Sequence, residues 1–151
     1  MIEILKLDKT HSDILANILS ADGALHEFLT PNQAMKLISG DEYYDGCLEW
    51  EKRKNGCCYT VLIDGVPIGS ISFTHKADNT ATVGAWIKSD LWNLGYGTQI
   101  LSKFKGIVKA KGYKYLTGSI LKSNPRSKRM CEKCGAAFTE DIDRWYPMFL
   151  L

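Results

Sequence analysis

The stretch that most constrains the fold is "TATVGAWIKSDLWNLGYGTQILSKFKGIVKAKGYKYLTGSIL", residues 80–121. It opens with strand character over 80–88 and passes a Gly-x-Gly turn at Gly95 and Gly97. Apolar residues then recur at Ile100, Leu101, Phe104, Ile107 and Val108, the spacing of one helix face. Gly112 can close that helix, and 114–121 again reads as strand. Strand, helix and strand in this order imply two parallel strands joined by a right-handed crossover. Just upstream, "CCYTVLIDGVPIGSISFTH" (57–75) reads as two strands joined by Asp64-Gly65, a tight-hairpin signal, and "KADN" (76–79) as a second turn. Hairpins are antiparallel, so the expected sheet is mixed and twisted.

The remaining segments dress that sheet. "IEILKL" (2–7) is a first strand. Thr10 or Ser12 is expected to cap a helix carrying Ile14, Leu15, Ile18 and Leu19. Residues 21–30 read as irregular. Pro31 suits the first turn of a helix through Ala34, Met35, Leu37 and Ile38 that stops near Gly40. A further helical piece over 41–56 ends at Asn55-Gly56, 124–135 is a helix with a glycine stop, and 136–150 holds a last pair of strands. The fold class expected is α/β (α+β mixed): a twisted mixed β-sheet of six or seven strands with about four helices on both faces. No linker or repeat interrupts it, so one domain over 1–151 is expected.

The charges do not single out a polymeric partner. Nineteen basic and 17 acidic side chains leave a net charge of +2, too balanced to argue for nucleic acid or a membrane by field alone. No run approaches ~18 apolar residues, and "MIEILKLDKT" lacks the apolar core of a signal peptide, so a cytoplasmic location is expected. Five cysteines, an odd number, argue against a disulfide framework. Cys131 and Cys134 form a CxxC, but a structural zinc site needs two more ligands, and Cys57-Cys58 has the wrong spacing. Reduced, partly buried thiols are the expectation, with no metal.

A strand that ends at a Gly-x-Gly turn and runs into a helix leaves several N–H groups without intrahelical partners, where the helix dipole adds positive charge. A phosphate suits that place; the alternative is a tight turn that packs helix on strand and holds nothing. A P-loop is excluded because Gly97 is followed by Thr98-Gln99 rather than Lys-Ser/Thr. A dinucleotide fingerprint is excluded because Ile100 stands where the third glycine is needed, and no acid lies about 20 residues on.

The two segments "VGAWIKSDLWNLGYGTQIL" and "SNPRSKRMCEKCGAAF" together resemble the GNAT superfamily of acetyl-CoA-dependent N-acetyltransferases. The first is similar to its pyrophosphate-holding motif, with Trp92 in the Arg/Gln place and Gly95 and Gly97 matching. That variant is nearest the branch of ribosomal-protein N-terminal acetyltransferases. In the second segment Asn124, Ser127, Glu132, Lys133 and Gly135 match. The resemblance implies a GNAT-like fold and acetyl-CoA as co-substrate. Backbone N–H groups of Leu94, Gly95, Tyr96, Gly97 and Thr98 would hold the pyrophosphate, and Trp86, Ile87 and Lys88 the pantetheine arm. Asn124 would bond the pantetheine amide, although it also reads as a helix cap before Pro125, and Ser127 would lie near the thiol end. Lys103, Lys105 and Lys133 could meet the cofactor's remaining phosphate. A valine at Gly97 would then occupy the phosphate's place.

The activity implied is transfer of an acetyl group to a primary amine by direct attack in a ternary complex. Such transfer needs positioning, deprotonation of an ammonium and N–H donors for the oxyanion. The chain departs from the family where acid and base usually stand: Cys131 replaces the Tyr seven residues after Asn124, and Ser119 replaces the Glu five residues before it. Cys131 and Ser127 are the candidate donors. A carboxylate among Glu27, Asp41, Glu42 and Glu49, acting through water, could serve as base. The acids and the aromatics His26, Phe28, Tyr43, Tyr44 and Trp50 would suit a cationic acceptor, or the aromatics are helix core. The alternative reading is a noncatalytic acyl-CoA-binding module that lacks the usual acid and base. Expected partners are a small-molecule or peptide amine and a second copy in a homodimer, with neither nucleic acid nor membrane.

Overall fold

In the computed structural model, which describes residues 1–151, the apolar runs become β1 (Ile2–Lys6), β2 (Gly56–Ile63), β3 (Val66–Ala77), β4 (Thr80–Ile87), β5 (Tyr115–Thr117), β6 (Ile120–Leu121), β7 (Ala137–Glu140) and β8 (Arg144–Leu150). The helices are α1 (Ser12–Ala21), α2 (Gly23–Leu29), α3 (Gly40–Lys54), α4 (Tyr96–Ala110) and α5 (Pro125–Lys133), with short 3-10 turns at Lys9–His11 and Ser89–Leu91. The sheet is open and mixed, in the order β1-β2-β3-β4-β5-β8-β6, with β7 paired to β8 off that path. β4 and β5 are parallel, as the crossover requires, over Thr80↔Tyr115 to Thr82↔Thr117. β1–β2, β5–β8, β6–β8 and β7–β8 are antiparallel. The β2–β3 turn places Asp64 and Gly65 both at positive φ, 49° and 79°, as a two-residue hairpin turn demands.

The sheet has eight strands rather than six or seven, because the stretch 114–121 is broken in two. After Thr117↔Met148 the next position on β8 is Pro147, which has no N–H to give. Gly118 still donates to the Pro147 carbonyl at 3.2 Å, and pairing resumes at Ile120↔Trp145. Five helices form rather than about four, because 21–30 is not irregular. Asp22 caps α2 by accepting from the Leu25 N–H at 3.1 Å, and Leu25 is buried.

The helix expected after Pro31 does not form. Asn32 sits at φ 68°, which stops helical continuation, and Ile38 instead donates its N–H to the Ser20 hydroxyl at 3.0 Å. Ser39 then opens α3 with a full capping box: its hydroxyl accepts from the Glu42 N–H, and the Glu42 carboxylate accepts from the Ser39 N–H. Asn55, at φ 51°, ends α3 as expected. Neither Thr10 nor Ser12 caps α1. Asp8 caps the preceding 3-10 turn, accepting from the Thr10 N–H and hydroxyl at 2.9 and 2.8 Å, and that turn feeds α1 directly.

The chain divides into two compact units, Met1–Ser72 with Ala85–Trp92, and Phe73–Gly84 with Asn93–Leu151. In the first, Leu15 and Ala16 of α1 pack with Tyr43 of α3, surrounded by Leu7, Ile18, Leu19, Ile38, Cys47 and Trp86. In the second, the predicted α4 stripe buries Ile100, Leu101, Phe104 and Val108, with Ile107 half-buried at its margin. The register partners Leu116 and Phe149 are fully buried in the same unit. Each such side chain contributes roughly 1.5–3 kcal/mol of burial.

Candidate active site

The glycine turn lies in the second unit. Asn93 at φ 61° and Gly95 at φ 87° swing the chain into α4, and Gly95 is its N-cap. No side chain caps α4, and its first turn carries no acid. α3, of the same 15-residue length, has both a capping box and Asp41 and Glu42 in its first turn. The contrast is chemical: α3 satisfies its own terminus, whereas the first turn of α4, at Tyr96, Gly97 and Thr98, has no side-chain cap. A Cβ built on Gly95 would meet nothing within 4 Å. That bare backbone fits a diphosphate on the predicted residues.

Gly97 answers to a different constraint. A Cβ there would lie 2.5 Å from Sδ of Met130 on α5. The absent side chain leaves room for this helix packing, a constraint at Gly97 beyond the phosphate expected from the sequence. Cys134, at the C-cap of α5, donates its thiol to the Thr98 carbonyl at 3.5 Å. The "CEKC" cysteines therefore serve the packing of α5 on α4. All five thiols are free, and no cluster of three or more His, Cys, Asp or Glu side chains could hold a metal ion.

Asn124 is the cap of α5. Its Oδ1 accepts from the Ser127 N–H at 3.3 Å, and its Nδ2 donates to the Ser127 hydroxyl at 2.8 Å. Both side chains are half-buried. Ser127 therefore has its oxygen held by Asn124 and its own O–H left to donate. Cys131, one turn on, is buried, and burial, with Cys134 nearby, pushes its thiol up to about 12. Such a thiol stays protonated near neutral pH and is packed rather than presented. Lys105, expected toward a phosphate, gives its ammonium to the Cys134 carbonyl at 2.9 Å and lies 5.3 Å from the Phe149 ring centre, while Lys103 and Lys133 are exposed.

The end of β4 belongs to the first unit. Lys88 donates its N–H to the Ile68 carbonyl on β3 at 2.9 Å. By strand alternation Ile87 turns its N–H and C=O away from β3. Its carbonyl accepts from the Trp92 indole N–H at 3.0 Å, which leaves the Ile87 N–H. Of the three predicted pantetheine residues, Ile87 thus offers the open donor, Lys88 has spent its N–H, and Trp86 packs, half-buried, against the unit's core. Trp92, in the Arg/Gln place, is a clamp that closes the turn after β4 and sets its ring edge-on to Phe28 at 5.9 Å.

Two residues that hold this strand end escaped the sequence reading. Asp22 accepts from both the N–H and the hydroxyl of Ser89, at 2.7 and 2.6 Å, while capping α2. Burial raises its pKa, but the Ser89 and Leu25 bonds outweigh that and hold it below the usual carboxylate range. Gly69 on β3 is the other: a Cβ there would run into the Trp86 carbonyl and Ile87. A glycine inside a strand run was the available signal for that close approach. Asp22 had only its position before Gly23.

The candidate bases divide. Glu42 is spent in the capping box and Asp41 pairs with Lys9 at 3.3 Å. Glu27 and Glu49 are exposed. Ser119, in the place of the family's Glu, accepts from Arg144 Nη1 at 2.7 Å. Of the nearby aromatics Tyr43 is core, whereas Phe28 is 38% exposed and meets Trp92.

The family model for the acetyltransferase (GNAT) domain matches residues 2–137. The chain belongs to the GNAT acetyltransferase family. No curated protein matches this acetyltransferase in sequence. Among solved structures it is similar to RimL, a ribosomal alpha-N-protein acetyltransferase in complex with coenzyme A, at 13% identity and TM-score 0.79, covering 99% of this chain and 94% of that one. It is also similar to aminoglycoside acetyltransferase AAC(6')-Ib in complex with coenzyme A, at 12% identity and TM-score 0.82, covering 99% and 95%. A third is a spermidine N-acetyltransferase SpeG chimera from Vibrio cholerae and hSSAT, at 13% identity and TM-score 0.77, covering 99% and 95%. At these identities the likeness shows the shared fold. No helix of this family member is long and apolar enough to cross a membrane.

Proposed function

We propose that this GNAT chain is an N-acetyltransferase that moves an acetyl group from acetyl-CoA to a cationic primary amine by direct attack in a ternary complex, 1–151 acting as one acyltransferase domain. The observation that carries the reading is the uncapped, acid-free N-terminus of α4 behind Gly95. The pyrophosphate lies on the N–H groups of Leu94 through Thr98. The Ile87 N–H takes a polar atom of the pantetheine or thioester, and Asn124 keeps one Nδ2 hydrogen for the pantetheine amide. Bound acetyl-CoA supplies an activated acyl group on a good leaving thiol. Ser127 gives its hydroxyl proton to the departing thiolate and takes one from a water in the same step, so that no alkoxide is left. A single domain is supported by a family match that spans stretches of both units.

The charge distribution supports a cationic acceptor. The first unit carries seven basic and twelve acidic side chains, and the second twelve basic and five acidic, so the small net charge conceals units of −5 and +7. A positive unit suits a cofactor rich in phosphate, and a negative one attracts an ammonium. The aminoglycoside and spermidine acetyltransferases of the same fold support such an acceptor.

The test measures coenzyme A thiol release from acetyl-CoA against a panel of polyamines, aminoglycosides and N-terminal peptides, beside calorimetric binding of acetyl-CoA. Saturable thiol release with cationic amines supports the proposal. Tight binding without turnover on any amine would instead establish the noncatalytic acyl-CoA-binding module, for which the buried Cys131 and exposed Ser119 in the usual acid and base places speak.

A further inference from the structure

We propose that Cys47 and Cys58 form an oxidation site, a thiol pair that a hydroperoxide closes into a reversible disulfide. The pair is made by the packing of α3 on β2. Tyr43, Cys47, Trp50 and Glu51 lie on one stripe of α3 by helical spacing. Glu51 accepts from the Cys58 backbone N–H at 2.7 Å and is ion-paired to Lys6, whose ammonium also reaches the Cys58 carbonyl at 3.4 Å. These contacts hold Cys58 on β2 against the face of α3 that carries Cys47. Both line an open cavity of about 320 Å³ with Glu42, Tyr43, Gly46, Trp50 and Ser72. A small oxidant can therefore reach sulfurs that pack beside the core.

The two thiols are not equivalent. The neighbouring Cys58 thiol, against the cost of burial, lowers the pKa of Cys47, and the Cys47 thiol together with burial raises that of Cys58. Cys47 is half-buried where Cys58 is buried, so Cys47 is the thiol the oxidant reaches first and Cys58 the resolving thiol. The Cys47 thiolate attacks one peroxide oxygen; an S–O bond forms, the O–O bond breaks, and the departing hydroxide takes a proton to become water. Cys58 then attacks the Cys47 sulfur; the S–S bond forms, the S–O bond breaks, and the leaving hydroxide takes the Cys58 proton as a second water. The peroxide is reduced and two thiols are oxidised. Cys57, the neighbour of Cys58, points to the opposite sheet face and stays out of the reaction.

The experiment exposes the full chain to hydrogen peroxide at neutral pH, quenches with an alkylating agent and maps peptides. The expected product is one dithiothreitol-reversible crosslink joining residues 37–52 to 55–76, lighter by two hydrogens. Cys47 should be consumed at least tenfold faster than Cys131. Cys57→Ser should retain the crosslink, and Cys58→Ser should lose it while Cys47 still oxidises. A crosslink that survives Cys58→Ser, or a Cys47 rate no greater than that of Cys131, would overturn the proposal.

Discussion

Gly97→Ala tests which way the glycine turn faces. A methyl at 97 would lie 2.5 Å from Met130 Sδ, against about 3.5–4.0 Å for an ordinary contact. The overlap is about 1–1.5 Å, so Met130 must swing aside, and overpacking of this kind costs about 1–3 kcal/mol. Removing a glycine from a helix returns about 1 kcal/mol. The net loss should be about 0–2 kcal/mol, a fall in Tm of up to about 8 °C for a chain of this size. Met130→Ala in the same chain leaves space that the new methyl can fill. Thermal unfolding of the two single variants and the double should therefore show a favourable coupling of about 1 kcal/mol or more.

The same variants separate packing from ligand contact. Because the methyl points at α5, acetyl-CoA affinity by calorimetry should change less than about threefold in the Gly97→Ala, Met130→Ala double variant. If Gly97→Ala instead leaves Tm unchanged, abolishes binding, and is not rescued by trimming Met130, then the side chain faces the phosphate and the packing argument fails. Gly95→Ala is the natural contrast. Its φ of 87° penalises any side chain by about 1–2 kcal/mol, and no trimmed neighbour can relieve that.

Cys131→Ala should cost turnover less than tenfold, because a buried thiol held up near 12 is packing; a hundredfold loss in kcat would make it the acid. Asp22→Ala should lower Tm by about 4–8 °C through the lost cap and Ser89 bonds, roughly 2 kcal/mol in all, and raise the KM for acetyl-CoA by loosening the end of β4. The pKa of Asp22 is depressed in the folded chain. Its contribution is therefore present above pH about 4 and lost as pH falls through the lower folded value. The Tm gap between the native chain and Asp22→Asn should close only below pH 4, and a gap that does not change between pH 7 and 3 would remove the carboxylate from the account.

The parts of the fold that local chemistry decides were legible. Asp64-Gly65, the α4 stripe, Asn55-Gly56 and the Asn124-Pro125 helix start each carry their own signal, and each formed. Where the reading failed, a long-range partner decided. Pro31 promised a helix, but Ser20, eleven residues earlier, offers Ile38 a hydroxyl, and Ser39 starts α3 on its own terms. Asp22-Gly23 looks like a turn until Leu25 has a core to enter and Ser89 supplies two donors. For the candidate site, the glycine turn carries its own spacing signal, while Asn124 reads from the residues only as the helix cap it is and as a ligand only through the family resemblance. Which N–H of β4 stays open could not be read, since it depends on Ile68 and Trp92 taking the others.

That division bears on the proton donor. The family place for an acid holds Cys131, and the fold buries it. Ser127 is the hydroxyl whose oxygen Asn124 Nδ2 holds at 2.8 Å, so its O–H is the one free to give. A coenzyme thiol with a pKa about 8.5 leaves without much help, which sets the scale. Ser127→Ala should lower kcat by about 10–100-fold, at or below the usual range for a general acid, with the KM for acetyl-CoA within about threefold. Asn124 can still cap residue 127 through its N–H, so Tm should hold. A thioester whose leaving thiol is more acidic needs less protonation, and with it the Ser127→Ala deficit should shrink. A deficit that stays constant across leaving thiols would reduce Ser127 to a structural partner of Asn124 and leave the departing thiolate to be protonated by water.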